Sequence, residues 1–167
     1  MPNYTEVARE ARKKVLELIY KAQTSHIGSN FSAIDIMAVL FDKVDIENDE
    51  VILSAGWKAA AWYYFLWKKG IITEEELNSF CQEVDCPNCY EFISKGTLVG
   101  CKLCDNKRKI QGKFIGLTEP MNRWGLRFAG GSMGYGLPAA VGFALSKKLK
   151  GEDGKVYVLM SDGEMQC

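Results

Sequence analysis

Three groups of residues in this sequence have the types and spacing to do chemistry. Asp162-Gly163 follows an apolar run, Lys155 to Ser161. In open parallel sheets, ligands bind beyond the carboxyl ends of strands. A carboxylate at such an end, with only a glycine beside it, suits a hard cation such as Mg²⁺, which completes its shell with phosphate and water. An aspartate in a tight strand-to-loop corner is the bland alternative. Gly130-Gly131-Ser132-Met133-Gly134-Tyr135-Gly136 precedes a helical pattern. Glycines let backbone pass close to a ligand, and a helix start favours anions. Close packing of helix on sheet asks for the same residues. The GxxGxG order is neither the dinucleotide fingerprint nor the phosphate-binding P-loop. Cys86-x2-Cys89-x11-Cys101-x2-Cys104 is the third group. Each Cys-x2-Cys turn can place two thiolates on one tetrahedral ion, and four thiolates make a closed, structural Zn²⁺ site. Four ordinary reduced cysteines are the alternative. Of the other cysteines, Cys81 reads as a small buried hydrophobe and Cys167 as an exposed terminal thiol.

The elements that must position these residues read as alternating helices and strands. Val7, Ala11, Val15, Leu18, Ile19 and Ala22 recur at helical spacing up to about Thr24. Ser25 to Asn30 then reads as a polar turn. Ser32 is placed to cap a second helix, Ala33 to Asp42. Glu50 to Ser54 reads as a short buried strand, and Ala55-Gly56 turns it into a helix that Gly70 can end. Thr73-Glu74-Glu75-Glu76 has capping-box spacing and starts a helix to about Gln82. After the cysteine-rich stretch, a loop runs to Ala129. An Ala-rich helix then spans Leu137 to Lys150, and Lys155 to Ser161 reads as a fully buried strand. The pattern predicts an α/β fold, a parallel sheet flanked by helices, with residues 1–82 and 110–167 as one domain and 83–109 as a small zinc-ribbon-like insertion.

Composition narrows the partners. Lys+Arg and Asp+Glu are each 21 in 167 residues, so nothing attracts a polyanion and nucleic acid is a poor partner. The run Ala59 to Trp67 is too short to span a membrane, which needs about 20 residues. The mixed charge of Glu6, Arg9, Glu10, Arg12, Lys13 and Lys14 is neither a signal nor a transit peptide. The expected location is cytoplasmic.

Taken in order, four segments resemble the N-terminal, thiamine-diphosphate-binding part of transketolases. Ser25-His26-Ile27-Gly28-Ser29-Asn30-Phe31-Ser32-Ala33-Ile34-Asp35-Ile36 is similar to the family's SGHPGSSLSAADI. Val51-Ile52-Leu53-Ser54-Ala55-Gly56-Trp57 is similar to FVLSKGH, Gly130 to Leu137 to STGSLGQGL, and Val158 to Glu164 to VLLGDGE. The resemblance implies a thiamine-diphosphate-binding fold and transfer of a two-carbon ketol unit from a ketose to an aldose. It implies that Asp162 ligates Mg²⁺ (or Ca²⁺) holding the diphosphate, that Gly131, Met133, Gly163 and Glu164 line the cofactor, and that His26 is the catalytic histidine facing it. Without that setting, a lone histidine is more often structural.

The sequence also departs from the family. Ala55 and Trp57 stand where it has Lys and His, and Gly112-Lys113-Phe114 stands near its Gly-His-Pro. Tryptophan donates a hydrogen bond but cannot act as an acid or base, so the substrates need not be the family's usual phosphorylated sugars. The family's second Mg²⁺ ligand, an Asn beyond the Gly-Asp-Gly, and its catalytic glutamate are not in this sequence. The expectation is therefore an N-terminal portion or subunit that needs a C-terminal transketolase-like polypeptide, in a homo- or hetero-oligomer, to complete its site. The alternative is a catalytically dead α/β scaffold whose zinc ribbon binds a partner.

Overall fold

The computed structural model describes residues 2–85, 109–112, 114–128 and 130–167. Cys86, Cys89, Cys101 and Cys104, and with them the expected zinc site, lie outside the described residues. Among the described residues, no cluster of His, Cys, Asp or Glu could hold a metal.

The chain begins with helices α1 (Tyr4–Ala22) and α2 (Ile27–Lys43). Asn3 caps α1 by accepting the Glu6 N–H, and Gln23 ends it in the left-handed conformation, one residue before the expected Thr24. Strand β1 (Glu50–Leu53) follows, then a 3₁₀ turn (Gly56–Lys58), α3 (Ala59–Lys68) and the short α4 (Glu74–Asn78). Gly70, at φ 75°, follows the end of α3 as expected. The Thr73–Glu76 capping box is fully formed at the start of α4. The α4 helix stops well before Gln82, because the chain turns through Ser79 to Cys81, with Cys81 at φ 52°, to enter β2.

Strands β2 (Glu83–Asp85) and β3 (Lys109–Gln111) pair antiparallel, with Asp85 opposite Lys109. The chain therefore leaves and re-enters this region at one place, on a two-stranded stem. Helix α5 (Gly136–Lys150) and strand β4 (Val156–Leu159) complete the order, before a final 3₁₀ turn (Gly163–Gln166).

β1 and β4 pair parallel, from Glu50 with Val156 to Leu53 with Leu159. The fold is α/β, a parallel two-stranded sheet flanked by helices. The core lies where α1, α2 and α3 pack on one another. Ala59 to Leu66 of α3 are all buried, so this helix is apolar on every side, which marks a central element. Phe41 meets Trp62 edge-on at 5.0 Å and stacks on Phe65 at 5.4 Å. The buried Trp62 Nε1–H donates to the Gly125 carbonyl at 2.7 Å, which fastens the long loop before α5 to the core.

Two expectations are corrected. The segment Ser25 to Asn30 is not a turn followed by a helix from Ala33: α2 starts at Ile27, with His26 as its N-cap at φ 76°. The polar residues that suggested a turn hold the helix start instead, since Ser29 Oγ and Asn30 Nδ2 both donate to the His26 carbonyl. β4 is not fully buried either. Val156, Tyr157 and Val158 are half-buried, because β1 pairs with one edge and no strand covers the other among the described residues.

Candidate functional site

The carboxyl ends of β1 and β4 lie side by side, and the glycine-rich loop crosses them. Ser54, one residue past β1, ties these segments together. Its carbonyl accepts the Gly131 N–H at 3.0 Å, and its Oγ accepts the Gly136 N–H at 3.1 Å. The same hydroxyl donates to Glu164 Oε1 at 2.6 Å. The approach is close enough to exclude side chains. A Cβ on Gly130 would sit 2.2 Å from the Leu53 carbonyl oxygen, and one on Gly136 would sit 2.2 Å from Ser54 Cβ. These glycines let two stretches of backbone touch, and Gly131, at φ 135°, adopts a conformation that side chains disfavour.

Glu164 is buried, 1% exposed. Its second oxygen accepts the Ser161 N–H at 2.8 Å. Burial by itself raises a carboxyl group's pKa, but the hydrogen bonds from Ser54, Ser161 and Gly134 outweigh it and hold Glu164 below its ordinary value. Both oxygens are thus engaged within the chain. The geometry gives Glu164 the part of a clamp between β1, the glycine-rich loop and the end of β4.

Asp162 differs. It is exposed, and its carboxylate caps nothing in the 3₁₀ turn that it starts. Gly163 beside it is exposed as well. A carboxylate at a strand end, with no hydrogen-bond partner among the described residues, can give one oxygen to Mg²⁺, which takes the rest of its shell from diphosphate and water. The residues present therefore fit the group that the sequence resemblance implies. Gly131 and Met133 lie in the loop; Met133 is 55% exposed, so its side chain is not packed into the core.

The start of α2 closes a further side. Ser29 Oγ and Asn30 Nδ2 donate to the Trp57 carbonyl at 3.3 Å, and Asn30 Oδ1 accepts the Ala61 N–H at 2.8 Å. Asn30 is 2% exposed and bolts α2 to the β1–α3 turn. His26 is exposed, with Nδ1 sharing a 2.9 Å hydrogen bond with Ser25 Oγ. The structure thus brings Gly131, Glu164 and Ser54 into one hydrogen-bonded unit. It places His26 on the turn that Asn30 fixes to the β1–α3 corner. Trp57 is half-buried at that corner.

Sequence reasoning assigned no role to Ser54, Asn30 or Lys58. Lys58 had a visible signal, as the single charge between Val51 and Trp67. Asn30 had none, since a buried asparagine in a helix looks like any polar residue there.

Comparison with known proteins bears on this corner of the fold. Residues 111–167 match the family described as thiamine pyrophosphate enzyme, C-terminal TPP binding domain. The match takes in the glycine-rich loop, α5, β4 and Asp162. The chain is also similar to polypeptides of multi-subunit transketolases. It is 26% identical over 162 residues to one such polypeptide of the apulose-4-phosphate transketolase of Phocaeicola vulgatus, covering 92% of this chain and 48% of that protein. It is 28% identical over 166 residues to SqwG, a polypeptide of the 6-deoxy-6-sulfo-D-fructose transketolase of Clostridium sp., covering 94% and 50%. Against 1-deoxy-D-xylulose-5-phosphate synthase of Thermosynechococcus vestitus, identity is 25% over 161 residues, 96% of this chain and 20% of the other. The chain spans about half the length of the transketolase polypeptides that it matches.

Proposed function

We propose that this chain is the diphosphate-binding portion or subunit of a transketolase-like thiamine-diphosphate enzyme, acting with a further polypeptide on ketose and aldose sugars. The observation that carries the reading is the free Asp162 carboxylate at the end of β4, beside a glycine-rich loop whose backbone lies directly on the end of β1. The family match over residues 111–167 and the similarity to transketolase polypeptides support it.

In this reading Asp162 holds Mg²⁺ (or Ca²⁺), and the backbone at Gly131, Met133 and Gly163 lines the diphosphate. Glu164 keeps that backbone in place through Ser54 and Ser161. His26, the N-cap of α2, faces the donor sugar in this reading, where an imidazole can donate or accept a hydrogen bond. Bound thiamine diphosphate would supply the two-carbon transfer chemistry itself, and the protein would supply metal, orientation and proton handling. Mg²⁺ held by one protein carboxylate takes its remaining oxygens from phosphate and water.

In the same reading, Cys86, Cys89, Cys101 and Cys104 hold one structural Zn²⁺. The support is their Cys-x2-Cys spacing. Metal analysis checks it: one zinc per chain is expected, lost in Cys86→Ser.

The enzyme reading is tested on the assembly purified from cells through this chain. Ketol transfer between a ketose and an aldose should depend on added thiamine diphosphate and disappear in Asp162→Ala. Transfer that survives Asp162→Ala contradicts the proposed metal site. Partner binding that survives Asp162→Ala and is lost in Cys86→Ser, with no transfer at all, favours the inactive-scaffold reading.

A further inference from the structure

Lys58 is 8% exposed, at the corner where β1 gives way to α3. Its ammonium donates to the Ser29 carbonyl at 3.1 Å and to Ser32 Oγ at 3.3 Å, both on the first turns of α2. No carboxylate lies within ion-pairing distance of it among the described residues. The carboxylates whose charges act on it are Glu164 and Asp162. Glu164 is already engaged by Ser54 and Ser161, and the Asp162 side chain has no hydrogen-bond or ion-pair partner among the described residues. Burial pulls the Lys58 ammonium below its ordinary pKa, and those two carboxylates work against the shift.

Taking an ammonium out of water is expensive unless it is paired. A neutral Gln or Asn could make the two hydrogen bonds to α2 without that cost. An ammonium has three donors, and two acceptors leave one over. Burial between α2 and the β1–α3 corner is what an anion-binding lysine needs: low local dielectric, a fixed stem and a spare donor.

We propose that Lys58 is an anion-recognising residue of this site, whose spare ammonium donor takes a phosphate-type oxyanion of the bound ligand. The proposal rests on the thiamine-diphosphate reading. That oxyanion belongs either to the cofactor's diphosphate or to a phosphorylated sugar, and the test separates the two.

The test is calorimetric titration of the native assembly, wild type against Lys58→Met and Lys58→Arg, with thermal unfolding of each as a folding control. One arm uses thiamine diphosphate with Mg²⁺; the other uses ribose 5-phosphate. A charge-assisted hydrogen bond lost from the complex corresponds to about 10- to 100-fold in affinity. Lys58→Met should weaken one arm by that factor, and the arm affected names the source of the oxyanion. Lys58→Arg, which keeps the charge, should stay within about tenfold of wild type. Equal binding by wild type and Lys58→Met in both arms overturns the proposal and leaves the cofactor reading standing. So does an equal loss in Met and Arg variants that tracks a drop in unfolding temperature. A wild type that binds ribose 5-phosphate through Lys58 but no thiamine diphosphate keeps the anion site and removes the cofactor reading. A wild type that binds neither removes both.

Discussion

Glu164 and Asp162 are two residues apart and sit in opposite environments, and that contrast defines the site. Glu164 is sealed, with Ser54 and Ser161 donating to it; Asp162 is open to solvent. The folded state holds the Glu164 pKa below its ordinary value of 4.5. A depressed carboxyl pKa adds stability that is fully present above the unfolded-state value and is lost as pH falls through the folded-state value. Wild type should therefore lose stability as pH drops below about 4.5, and Glu164→Gln should show a flatter acid limb in urea unfolding. Glu164→Ala should cost about 1–3 kcal/mol at neutral pH, because it leaves the Ser54 hydroxyl and Ser161 N–H without their acceptor. An Ala variant as stable as wild type would remove the clamp from this account. The position of Asp162 just past a strand was legible in the sequence, since an apolar run followed by Asp-Gly is a recognisable pattern. The division of labour between Asp162 and Glu164 was not, because it depends on Ser54, distant along the chain and adjacent only in the fold.

At the scale of elements, the glycine-rich loop and the start of α2 carry the geometry. Gly130 and Gly28 make a matched pair of tests. A Cβ on Gly130 meets the Leu53 carbonyl oxygen at 2.2 Å, whereas one on Gly28 meets nothing within 4 Å. Gly130→Ala should destabilise by about 1–3 kcal/mol or more, since backbone would have to move on both sides. Gly28→Ala, inside α2, should be neutral or stabilising by about 0.5–1 kcal/mol. Thermal unfolding of the two variants checks the contrast, and a reversed order would contradict the placement of the loop on β1. Thr73→Ala tests a simpler element: loss of the α4 capping box should cost about 1 kcal/mol, read as a lower urea midpoint at unchanged slope. The capping box, the Gly70 stop and the start of α5 were readable because each is set by residues three or four apart. The start of α2 was misread for a physical reason. Ser29 and Asn30 bond to the His26 and Trp57 carbonyls, and no local rule distinguishes those partners from the backbone of a turn.

For the whole molecule, the core belongs to α1, α2 and α3, and the site belongs to the sheet ends that this core supports. Trp62 joins the two: its ring packs on Phe41, and its Nε1–H holds the loop at Gly125. Trp62→Ala should cost about 3–5 kcal/mol and loosen the loop before α5 as well as the core. The α/β class and the parallel pairing of β1 with β4 were legible from the alternation of helical and apolar strand patterns. The half-burial of β4 was not, because an apolar run reads as buried whether one neighbouring strand or two cover it. Leu137, Val141, Leu145 and Leu149 form a stripe of exposed apolar residues along α5, at four-residue spacing.

If Asp162 and the glycine-rich loop form one end of a thiamine-diphosphate site, the affinity of the native assembly for thiamine diphosphate, with and without Mg²⁺, will separate wild type from Asp162→Asn. Binding should be metal-dependent in wild type, and weaker by about 10-fold or more, with the metal dependence abolished, in the variant. Binding of equal strength in both proteins, or binding indifferent to Mg²⁺, would contradict it.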